Sequence, residues 1–269
     1  MGESGLMQTR KIVELDDKVV LITGAGQGVG RQIALDAASV GAGVVIVNDF
    51  VPERAAAVAA EVGELGAKGF ALPFDVTNYA AVGEAFETVK ENFGHLHALV
   101  NNAGNAGAGG TAALSDFWQD SPSDWDRWLG TNLFGVLNCV RHGVPLMREH
   151  GEGRVVTIIS DAARAGEAGL EVYSSAKAGA AGFMRAVARS CGRYGITANC
   201  VSISATRTPF VEDLLNNEAA TKQQLKRYII RRFGEPEDVS GLVTFLCSDA
   251  GAWITGQTIP VNGGFSLAL

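Results

Sequence analysis

Tyr173 and Lys177 are the two residues whose types and spacing best suit proton-transfer chemistry. They lie four positions apart in an alanine-rich, helix-favouring stretch, so both side chains project from one helix face, one turn apart. A phenol has a reference pKa of about 10, and a neighbouring ammonium lowers that pKa by favouring the charged form. The pair therefore predicts a general acid/base, although the same spacing also occurs on solvated helix faces.

A glycine-rich loop near the amino end is the second candidate for chemistry. Residues 23–30 read TGAGQGVG and run directly from a β-branched segment into a helical pattern. Glycine permits a tight turn and a close approach of backbone to a pyrophosphate, and the helix N-terminus then offers free N–H groups to the phosphates. Asp49 ends the next strand, 19 residues after Gly30, close to the spacing of about 20 for a ribose-binding acid. The loop and the acid together predict a dinucleotide site.

Asp49 also bears on which dinucleotide is bound. A carboxylate at this position accepts hydrogen bonds from both adenosine ribose hydroxyls and repels the 2′-phosphate of NADP. The glycine loop contains no Lys or Arg, so it offers no cationic partner for such a phosphate. NAD is therefore the predicted cofactor. The alternative role for Asp49 is to cap the helix that begins near Pro52.

Strand-like and helix-like segments alternate along the chain around these two sites. Because each parallel strand needs a crossover to return to the same edge, this alternation predicts an α/β fold, a Rossmann-type doubly wound parallel sheet with helices on both faces. We expect a single domain over residues 16–269 and a loose N-terminal extension over residues 1–15. The predicted strands are 19–23, 44–48, 70–74, 98–101, 155–159, 197–201 and 258–261.

Composition and charge argue against other classes of function. The net charge of -7 repels phosphate backbones, so we expect no nucleic-acid partner. The four cysteines form no CxxC pair, and His95 and His97 have no neighbouring Cys or carboxylate in the sequence, so no metal site is predicted. There is no export signal and no apolar stretch of about 18 residues, so we expect a cytoplasmic protein without a membrane partner. A Gly-x-Ser-x-Gly elbow is also absent, which excludes a serine hydrolase of that type.

The chain resembles the short-chain dehydrogenase/reductase family over nearly its whole length, from about residue 17 to residue 266. The members it resembles are 3-ketoacyl reductases and hydroxyacyl-CoA and hydroxysteroid dehydrogenases. The motifs that carry the resemblance agree in order and spacing. They are Thr-Gly-x-x-x-Gly-x-Gly at 23–30, Asp75-Val76, Asn101-Asn102-Ala103-Gly104, Asn132, Ser160 and Tyr173-x-x-x-Lys177.

The resemblance implies a role for each residue of the catalytic set. Tyr173 would exchange a proton with the substrate oxygen, and Ser160 would hydrogen-bond the same oxygen. Lys177 would lower the Tyr173 pKa and bind the nicotinamide ribose, while Asn132 would position Lys177 and a water. The residues expected to bind the cofactor are Gly24, Gln27, Gly28, Val29, Gly30, Asp49, Asp75, Val76, Asn102, Ala103, Gly104, Tyr173, Lys177 and Thr208.

Two segments depart from the family pattern. Many members carry Pro-Gly after the sixth strand, where this chain has Ile203-Ser204, although Thr208 still stands where a family threonine binds the carboxamide. The Gly/Ala-rich stretch Asn105 to Ala113 looks longer than usual, and either shapes substrate entry or forms a slack loop. Three tryptophans, Trp118, Trp125 and Trp128, are expected to pack around the helix before Asn132, and the alternative for Trp118 is that it reaches the substrate pocket.

Residues 205–232 correspond to the substrate lid of the family and are rich in positive charge. The basic residues, which are four apart in pairs, are Lys222 and Lys226, and Arg227 and Arg231, followed by Arg232. A basic helix stripe here could grip the phosphates of an acyl-CoA thioester, or it could be an ordinary solvated face or a subunit contact.

The sequence thus predicts reversible oxidation of a secondary alcohol, with a 3-hydroxyacyl-CoA-like substrate first and a hydroxysteroid or cyclic alcohol second. A non-enzymatic NAD-sensing or interaction module is the remaining alternative. The resemblance also implies a homotetramer, with helices that flank Asn132 and Tyr173 at the interfaces. The exact substrate, the direction and the stereochemistry do not follow from these residues.

Overall fold

The computed structural model of the protein describes residues 13–104, 116–208 and 218–267. Within them, seven strands form one sheet in the order β3-β2-β1-β4-β5-β6-β7, and every neighbouring pair is parallel. This confirms the predicted Rossmann-type single domain. The strands are β1 (Val19–Ile22), β2 (Val44–Val47), β3 (Lys68–Ala71), β4 (Ala98–Asn101), β5 (Gly153–Ser160), β6 (Ile196–Ile203) and β7 (Thr258–Val261).

The central strands are continuous apolar runs because helices cover both faces of the sheet. All four residues of β1 are buried, as are all four of β4. The third strand is displaced from its predicted position at 70–74 and begins at Lys68. It ends early because Leu72 makes the last bond to β2, through the Val47 carbonyl, and the next residue is Pro73, which has no N–H to donate.

Helices pack on the two faces of the sheet in two hydrophobic clusters. On one face, Ile33 of α1 and Val243 of α9 share a cluster with β1. On the other face, α3, α5 and α7 form the second cluster, for example through Val140 and Met184. The helices are α1 (Gly28–Ser39), α2 (Pro52–Glu64), α3 (Tyr79–Phe93), α4 (Pro122–Leu129), α5 (Gly135–His150), α6 (Ala162–Ala165), α7 (Glu171–Cys191), α8 (Glu218–Leu225) and α9 (Pro236–Cys247).

The strand order reverses between β1 and β4, which creates a crevice at the carboxyl edge of the sheet. The segments that follow β1, β2, β4, β5 and β6 all begin at this edge. A π-helical turn, Gly130–Phe134, joins α4 to α5 and carries Asn132. The predicted functional residues therefore come from separate segments that one edge of the sheet brings together.

The folded domain begins earlier than residue 16. Leu15, which the sequence analysis assigned to the loose extension, is fully buried, and its N–H donates to the Val40 carbonyl. Residues 1–12, the stretch from 105 to 113 and lid residues 209–217 lie outside the described residues. Among the described helices, none combines the length and apolar character that crossing a bilayer requires. The four cysteines are free thiols.

Candidate active site

The glycine loop forms a cradle from which side chains are excluded by close contacts. Gly24 has a φ of +61°, and a Cβ there would lie 2.8 Å from the Ala103 Cα atom. Gly28 has a φ of +55°, a conformation that non-glycine residues rarely adopt. A Cβ on Gly30 would lie 2.4 Å from both the Asn102 amide nitrogen and the Gly24 carbonyl oxygen. The sequence therefore needs glycine at these three positions.

Asn102 and Thr23 hold the cradle against β4. The Asn102 side-chain amide donates to the carbonyls of Thr23 and Gly24, each at 3.0 Å. The Thr23 hydroxyl in turn accepts hydrogen bonds from the backbone N–H groups of Asn102 and Ala103, at 3.1 and 3.0 Å. These bonds satisfy the polar groups between the two loops. Hydrogen bonds thus join the two loops that carry the predicted cofactor residues.

The N-terminus of α1 meets the requirements of an anion site. Gln27 is its N-cap residue and makes no side-chain capping bond, and the first turn contains no acidic residue. The first-turn N–H groups of Gly28, Val29 and Gly30 are therefore not claimed by a capping side chain. A Cβ on Gly28 would lie 3.0 Å from the Thr208 methyl carbon, so Thr208 covers this end of the cradle.

Asp49 lies two residues after the end of β2, and 4% of its surface is exposed. Its two oxygens accept hydrogen bonds from the backbone N–H groups of Gly26, at 3.2 Å, and Val51, at 3.0 Å. The N-cap residue of α2 is Val51, so Asp49 does not cap this helix from the N-cap position. Its side chain is instead bonded to the glycine loop, through the Gly26 N–H. The Arg54 guanidinium lies 3.8 Å from Asp49 and was not anticipated from the sequence.

Asp75 and Val76 occupy the rim of the crevice after β3. The exposed Asp75 accepts hydrogen bonds from the Thr77 N–H and hydroxyl, both at 2.8 Å. Val76 is buried, and a Cβ on Gly135 of α5 would lie 2.7 Å from its Cγ2 atom. The Val76 side chain therefore belongs to the core beneath the site, which leaves its backbone as the part that can face a ligand.

Ser160 and Tyr173 share a hydrogen bond at the end of β5. Ser160 is the last residue of β5, and its oxygen also accepts a hydrogen bond from the Ala162 N–H at 3.2 Å. Tyr173 and Lys177 both belong to α7, one helical turn apart as predicted. Two hydroxyl groups thus meet at one point, where both can interact with a single substrate oxygen.

Lys177 and Asn132 converge on the loop after β4. The Lys177 ammonium is buried and donates to the Ile158 carbonyl at 3.0 Å, while the Asn132 amide donates to the Trp128 carbonyl at 3.0 Å. A Cβ on Gly104 would lie 3.0 Å from the Asn132 side-chain oxygen and 3.1 Å from the Lys177 nitrogen. All four residues of the predicted catalytic set therefore lie around one end of the crevice, next to the cradle.

The charge state of the acid/base differs from the sequence expectation. Burial raises the pKa of Tyr173, the bond from Ser160 partly offsets this, and the Glu167 charge adds to the increase. Burial lowers the pKa of Lys177 itself to about 8, and the Lys177 ammonium donates to the Ile158 carbonyl. The phenol is therefore protonated at neutral pH and poised to donate a proton.

Trp128 and Asp161 lie close to the catalytic set, and the sequence analysis predicted no contact between either of them and that set. The Trp128 indole is buried and packs edge-on against the Tyr173 ring, with ring centres 5.7 Å apart. Asp161, directly after Ser160, is 1% exposed and is held by three side-chain donors. They are Ser202 at 2.7 Å, Asn262 at 2.5 Å and Ser266 at 2.9 Å. The expectation for tryptophan packing holds for Trp128, whereas Trp118 is 72% exposed.

The departure from Pro-Gly after β6 is part of this Asp161 network. Ser202, the residue before Ile203, donates to Asp161, and Ser204 donates to the Asn262 carbonyl at 3.3 Å. Thr206 and Gly234 pair through their backbones in an isolated parallel β-bridge. We call this region, residues 161–170, 202–208, 227–232 and 262–267, the substrate side of the crevice, and we call residues 23–30 with 102–104 the cofactor cradle.

The predicted basic stripe of the lid is interrupted in the structure. The helix α8 ends at Leu225, so Arg227 and Arg231 are not on one helical face. Arg231 donates to the carbonyls of Leu225 and Lys226, and Arg232 pairs with Asp238. Arg227 pairs with Glu167, whose loop precedes Tyr173. The charges of this segment are therefore used mainly within the protein, which weakens the argument for a phosphate-binding stripe.

The histidines at the opposite edge of the sheet have a partner that the sequence did not reveal. His97 lies 3.6 Å from the Glu152 carboxylate, and its ring nitrogen Nδ1 accepts the Val19 N–H at 2.9 Å. Burial lowers the pKa of His97 to about 4. In the described parts of the chain, no group of three or more His, Cys, Asp or Glu residues is arranged to hold a metal ion.

Comparison with known proteins decides the family. The family model described as enoyl-(acyl carrier protein) reductase, of the short-chain alcohol dehydrogenase type, matches residues 24–266. The chain belongs to the short-chain dehydrogenase/reductase family. As a member of it, the protein is an oxidoreductase that acts on secondary alcohols and ketones and binds a nicotinamide cofactor. The glycine cradle, which side chains would fill, agrees with that cofactor.

Two relatives in the family illustrate the range of names. Subunit BbsD of a (2S)-[(R)-hydroxy(phenyl)methyl]succinyl-CoA dehydrogenase from Thauera aromatica is 38% identical over 253 residues, covering 94% of this chain and 98% of the relative. The 3-oxoacyl-[acyl-carrier-protein] reductase FabG of Staphylococcus epidermidis is 34% identical over 250 residues, covering 92% of this chain and 98% of the relative.

Two solved structures of the family show different cofactors. A 7α-hydroxysteroid dehydrogenase complexed with NADH and 7-oxo glycochenodeoxycholic acid is 31% identical, with a TM-score of 0.86, over 93% of this chain and 95% of that chain. A gluconate 5-dehydrogenase from Burkholderia cenocepacia in complex with NADP and tartrate is 28% identical, with a TM-score of 0.88, over 95% of this chain and 98% of that chain.

Proposed function

We propose that the protein is an NAD-dependent dehydrogenase that interconverts the alcohol and ketone of a 3-hydroxyacyl thioester. The observation that carries the proposal is the meeting of the Ser160 and Tyr173 hydroxyls beside Lys177, next to the glycine cradle. Two hydroxyl groups at one point suit the oxygen of a carbonyl, which accepts two hydrogen bonds. Reduction of a carbon–carbon double bond, which the family model's description suggests, offers no oxygen at the reacting carbons for this pair.

Tyr173 is the acid/base in this proposal, and the other three residues act around it. The protonated phenol gives its proton to the carbonyl oxygen in reduction and takes it back in oxidation. Ser160 donates a hydrogen bond to the same oxygen and stabilises the charge that develops there. Lys177 binds the nicotinamide ribose, and Asn132 fixes the Lys177 position from the π-helical turn.

The cofactor proposal depends on Asp49. Its buried carboxylate retains lone pairs beyond its two backbone bonds, so it can accept the ribose hydroxyls, and it repels a 2′-phosphate. The nearby Arg54 weakens that repulsion, and the relatives include both an NADH and an NADP complex. A bound nicotinamide supplies the hydride acceptor or donor. Gln27, Asp75 and Asn102 to Gly104, with the cradle and Thr208, make up the rest of its site.

A thioester substrate is favoured by the names of the two relatives, one a subunit of a (2S)-[(R)-hydroxy(phenyl)methyl]succinyl-CoA dehydrogenase and the other a 3-oxoacyl-[acyl-carrier-protein] reductase. A hydroxysteroid is the second candidate, because a structure of similar fold contains an oxo bile acid. A module that only senses NAD would need neither Ser160 nor Tyr173, and the hydrogen bond between them argues for catalysis.

The proposal is tested by an oxidoreductase assay on hydroxyacyl thioesters, steroids and cyclic alcohols with NAD and with NADP. We expect turnover of the thioesters with NAD, and a loss of about 10²- to 10⁴-fold in kcat for Tyr173→Phe, which removes only the proton-carrying oxygen. Tyr194→Phe, in the short 3-10 turn that follows α7, is the control. Turnover that survives in Tyr173→Phe contradicts the acid/base assignment, and tighter binding of NADP than of NAD contradicts the role of Asp49.

Assembly into a homotetramer, with the helices that flank Asn132 and Tyr173 at the interfaces, stays a prediction of the family resemblance. Phe134, in the turn that carries Asn132, is 50% exposed, and Trp253 is 99% exposed. Large exposed aromatic side chains are typical of surfaces that another chain covers. The molar mass in solution tests this.

A further inference from the structure

Arg227 connects three separate parts of the substrate side. Its guanidinium donates to the Glu167 carboxylate at 3.3 Å, in the loop between β5 and α7. The centre of the same guanidinium lies 4.2 Å from the centre of the Phe265 ring, in the turn after β7. The Arg227 side chain is 53% exposed and that of Glu167 is 35% exposed. The pair is therefore open to an incoming ligand.

The ion pair lies close to the proposed acid/base. Glu167 precedes Tyr173 by six residues, and its charge acts on the pKa of both Tyr173 and Tyr228. The Tyr228 ring packs against Phe265, with ring centres 5.1 Å apart, and its hydroxyl accepts the Ala205 N–H at 3.2 Å. Arg227 and Tyr228 thus contact both the loop between β5 and α7 and the loop after β6.

The neighbouring cations of this segment have other uses. Arg232 pairs with Asp238, and Arg231 donates to two backbone carbonyls of its own turn. Arg207 pairs with Glu235 at 3.1 Å. In the described part of the lid, Arg227 is the arginine whose partner belongs to the loop that leads into Tyr173.

We propose that Arg227 binds an anionic oxygen group of the substrate, a carboxylate or a phosphate, by exchanging the Glu167 carboxylate for it. An exposed ion pair contributes little net stability, so an incoming anion can replace Glu167 at small cost. Stacking on Phe265 keeps the planar guanidinium oriented during the exchange, and its fork of donors matches either anion. This inference rests on the proposed function, since it names the class of thioester that the same site accepts.

Three thioesters separate the two sources of negative charge. Acetoacetyl-N-acetylcysteamine is neutral. Acetoacetyl-coenzyme A carries phosphates on its coenzyme A part, and 3-oxoadipyl-N-acetylcysteamine carries a carboxylate on its acyl chain. In Arg227→Gln we expect the KM of the matching anionic thioester to rise about 10- to 100-fold, because a hydrogen bond to a charged group is lost. The KM of the neutral thioester should change less than about twofold, and kcat should change little, since no reacting atom is touched.

Lys226→Gln is the matched control, because it removes the same charge from the adjacent exposed residue. Glu167→Gln is the complementary variant: with the competing carboxylate gone, the KM of the same anionic thioester should fall. It should also move the alkaline limb of the pH profile to lower pH, because the charge that acts on Tyr173 is removed.

The substrate whose KM rises in Arg227→Gln decides the outcome. A rise in KM confined to the acyl carboxylate or confined to coenzyme A supports the inference and identifies the anion. An equal rise for the neutral thioester, no rise for any substrate, or the same rise in Lys226→Gln overturns it. Wild-type protein that reduces none of the three thioesters contradicts the proposed function itself, before any variant is compared.

Discussion

The cofactor cradle and the substrate side lie at the same edge of the sheet, but they are built from different parts of the chain's chemistry. The cradle is made by backbone: glycines that admit no Cβ, first-turn N–H groups and main-chain bonds to Asn102. The substrate side is made by charged side chains, with Asp161 bound to three donors and Glu167 bound to Arg227. We therefore expect added side-chain atoms to weaken cofactor binding in the cradle, and removal of a charge to lower the stability of the substrate side.

Removal of the Asp161 carboxylate should give the largest effect on stability. Asp161→Ala leaves Ser202, Asn262 and Ser266 without their common acceptor and the nearby Arg164, at 3.5 Å, without its counter-charge. Loss of one partner from a buried charged network costs about 3–5 kcal/mol. Urea unfolding measures this free energy.

The matched control for Asp161→Ala is a carboxylate on the surface of the two helices that follow β1 and β2. Glu61→Ala removes a carboxylate that pairs with Arg31 between α2 and α1, where both side chains are partly exposed. Such surface pairs contribute about 0–1 kcal/mol. Similar losses in the two variants would mean that burial of charge does not distinguish the substrate side.

An added methyl group tests the cradle in the same way. Gly30→Ala places a carbon 2.4 Å from the Gly24 carbonyl oxygen, and the cradle must shift to admit it. Overpacking of this kind costs about 1–3 kcal/mol, so we expect dinucleotide binding to weaken about 10- to 100-fold in a fluorescence titration. Gly63→Ala, in α2 with open space around it, should instead stabilise the protein by about 0.5–1 kcal/mol. Equal NAD affinity in Gly30→Ala and wild type would show that the cradle is not rigid.

The pH dependence of activity is the mildest test of the comparison. Because burial and Glu167 raise the pKa of Tyr173, the phenol stays protonated across the neutral range. Ketone reduction, which needs the phenol, should therefore vary little between about pH 6 and 8. Alcohol oxidation, which needs the phenolate, should rise with pH up to that raised pKa, by up to about tenfold per pH unit. A plateau of the oxidation rate already at neutral pH would show that a cation lowers the Tyr173 pKa after all.

Much of the cradle could be predicted from the sequence because its physics is local. Gly24, Gly28 and Gly30 are required by positive φ or by close contact, and such requirements leave a pattern of glycines at fixed spacing. The β-branched runs likewise mark strands buried on both faces. The strand predicted at 70–74 was displaced because it lies at the sheet edge, where burial is weaker and Pro73 sets the end.

The substrate side could not be predicted because its pairs meet only in the folded chain. Glu167 and Arg227 are separated by 60 positions, and Asp161 and Asn262 by 101. The basic residues of the lid suggested a stripe, but the end of α8 at Leu225 separates them. The upward shift of the Tyr173 pKa follows from the depth of burial and from the nearby Glu167 charge, and the Tyr-x-x-x-Lys spacing encodes neither.

The turn after β7 has a practical consequence for how the protein is handled. Ser266 donates to Asp161, Arg164 donates to the Leu267 carbonyl, and Phe265 supports Arg227, so this turn forms part of the crevice wall. An affinity tag or a surface linker fused directly after this turn would put strain on its contacts with Asp161, Arg164 and Arg227. For immobilisation or labelling, the exposed face of α2 is the better attachment point.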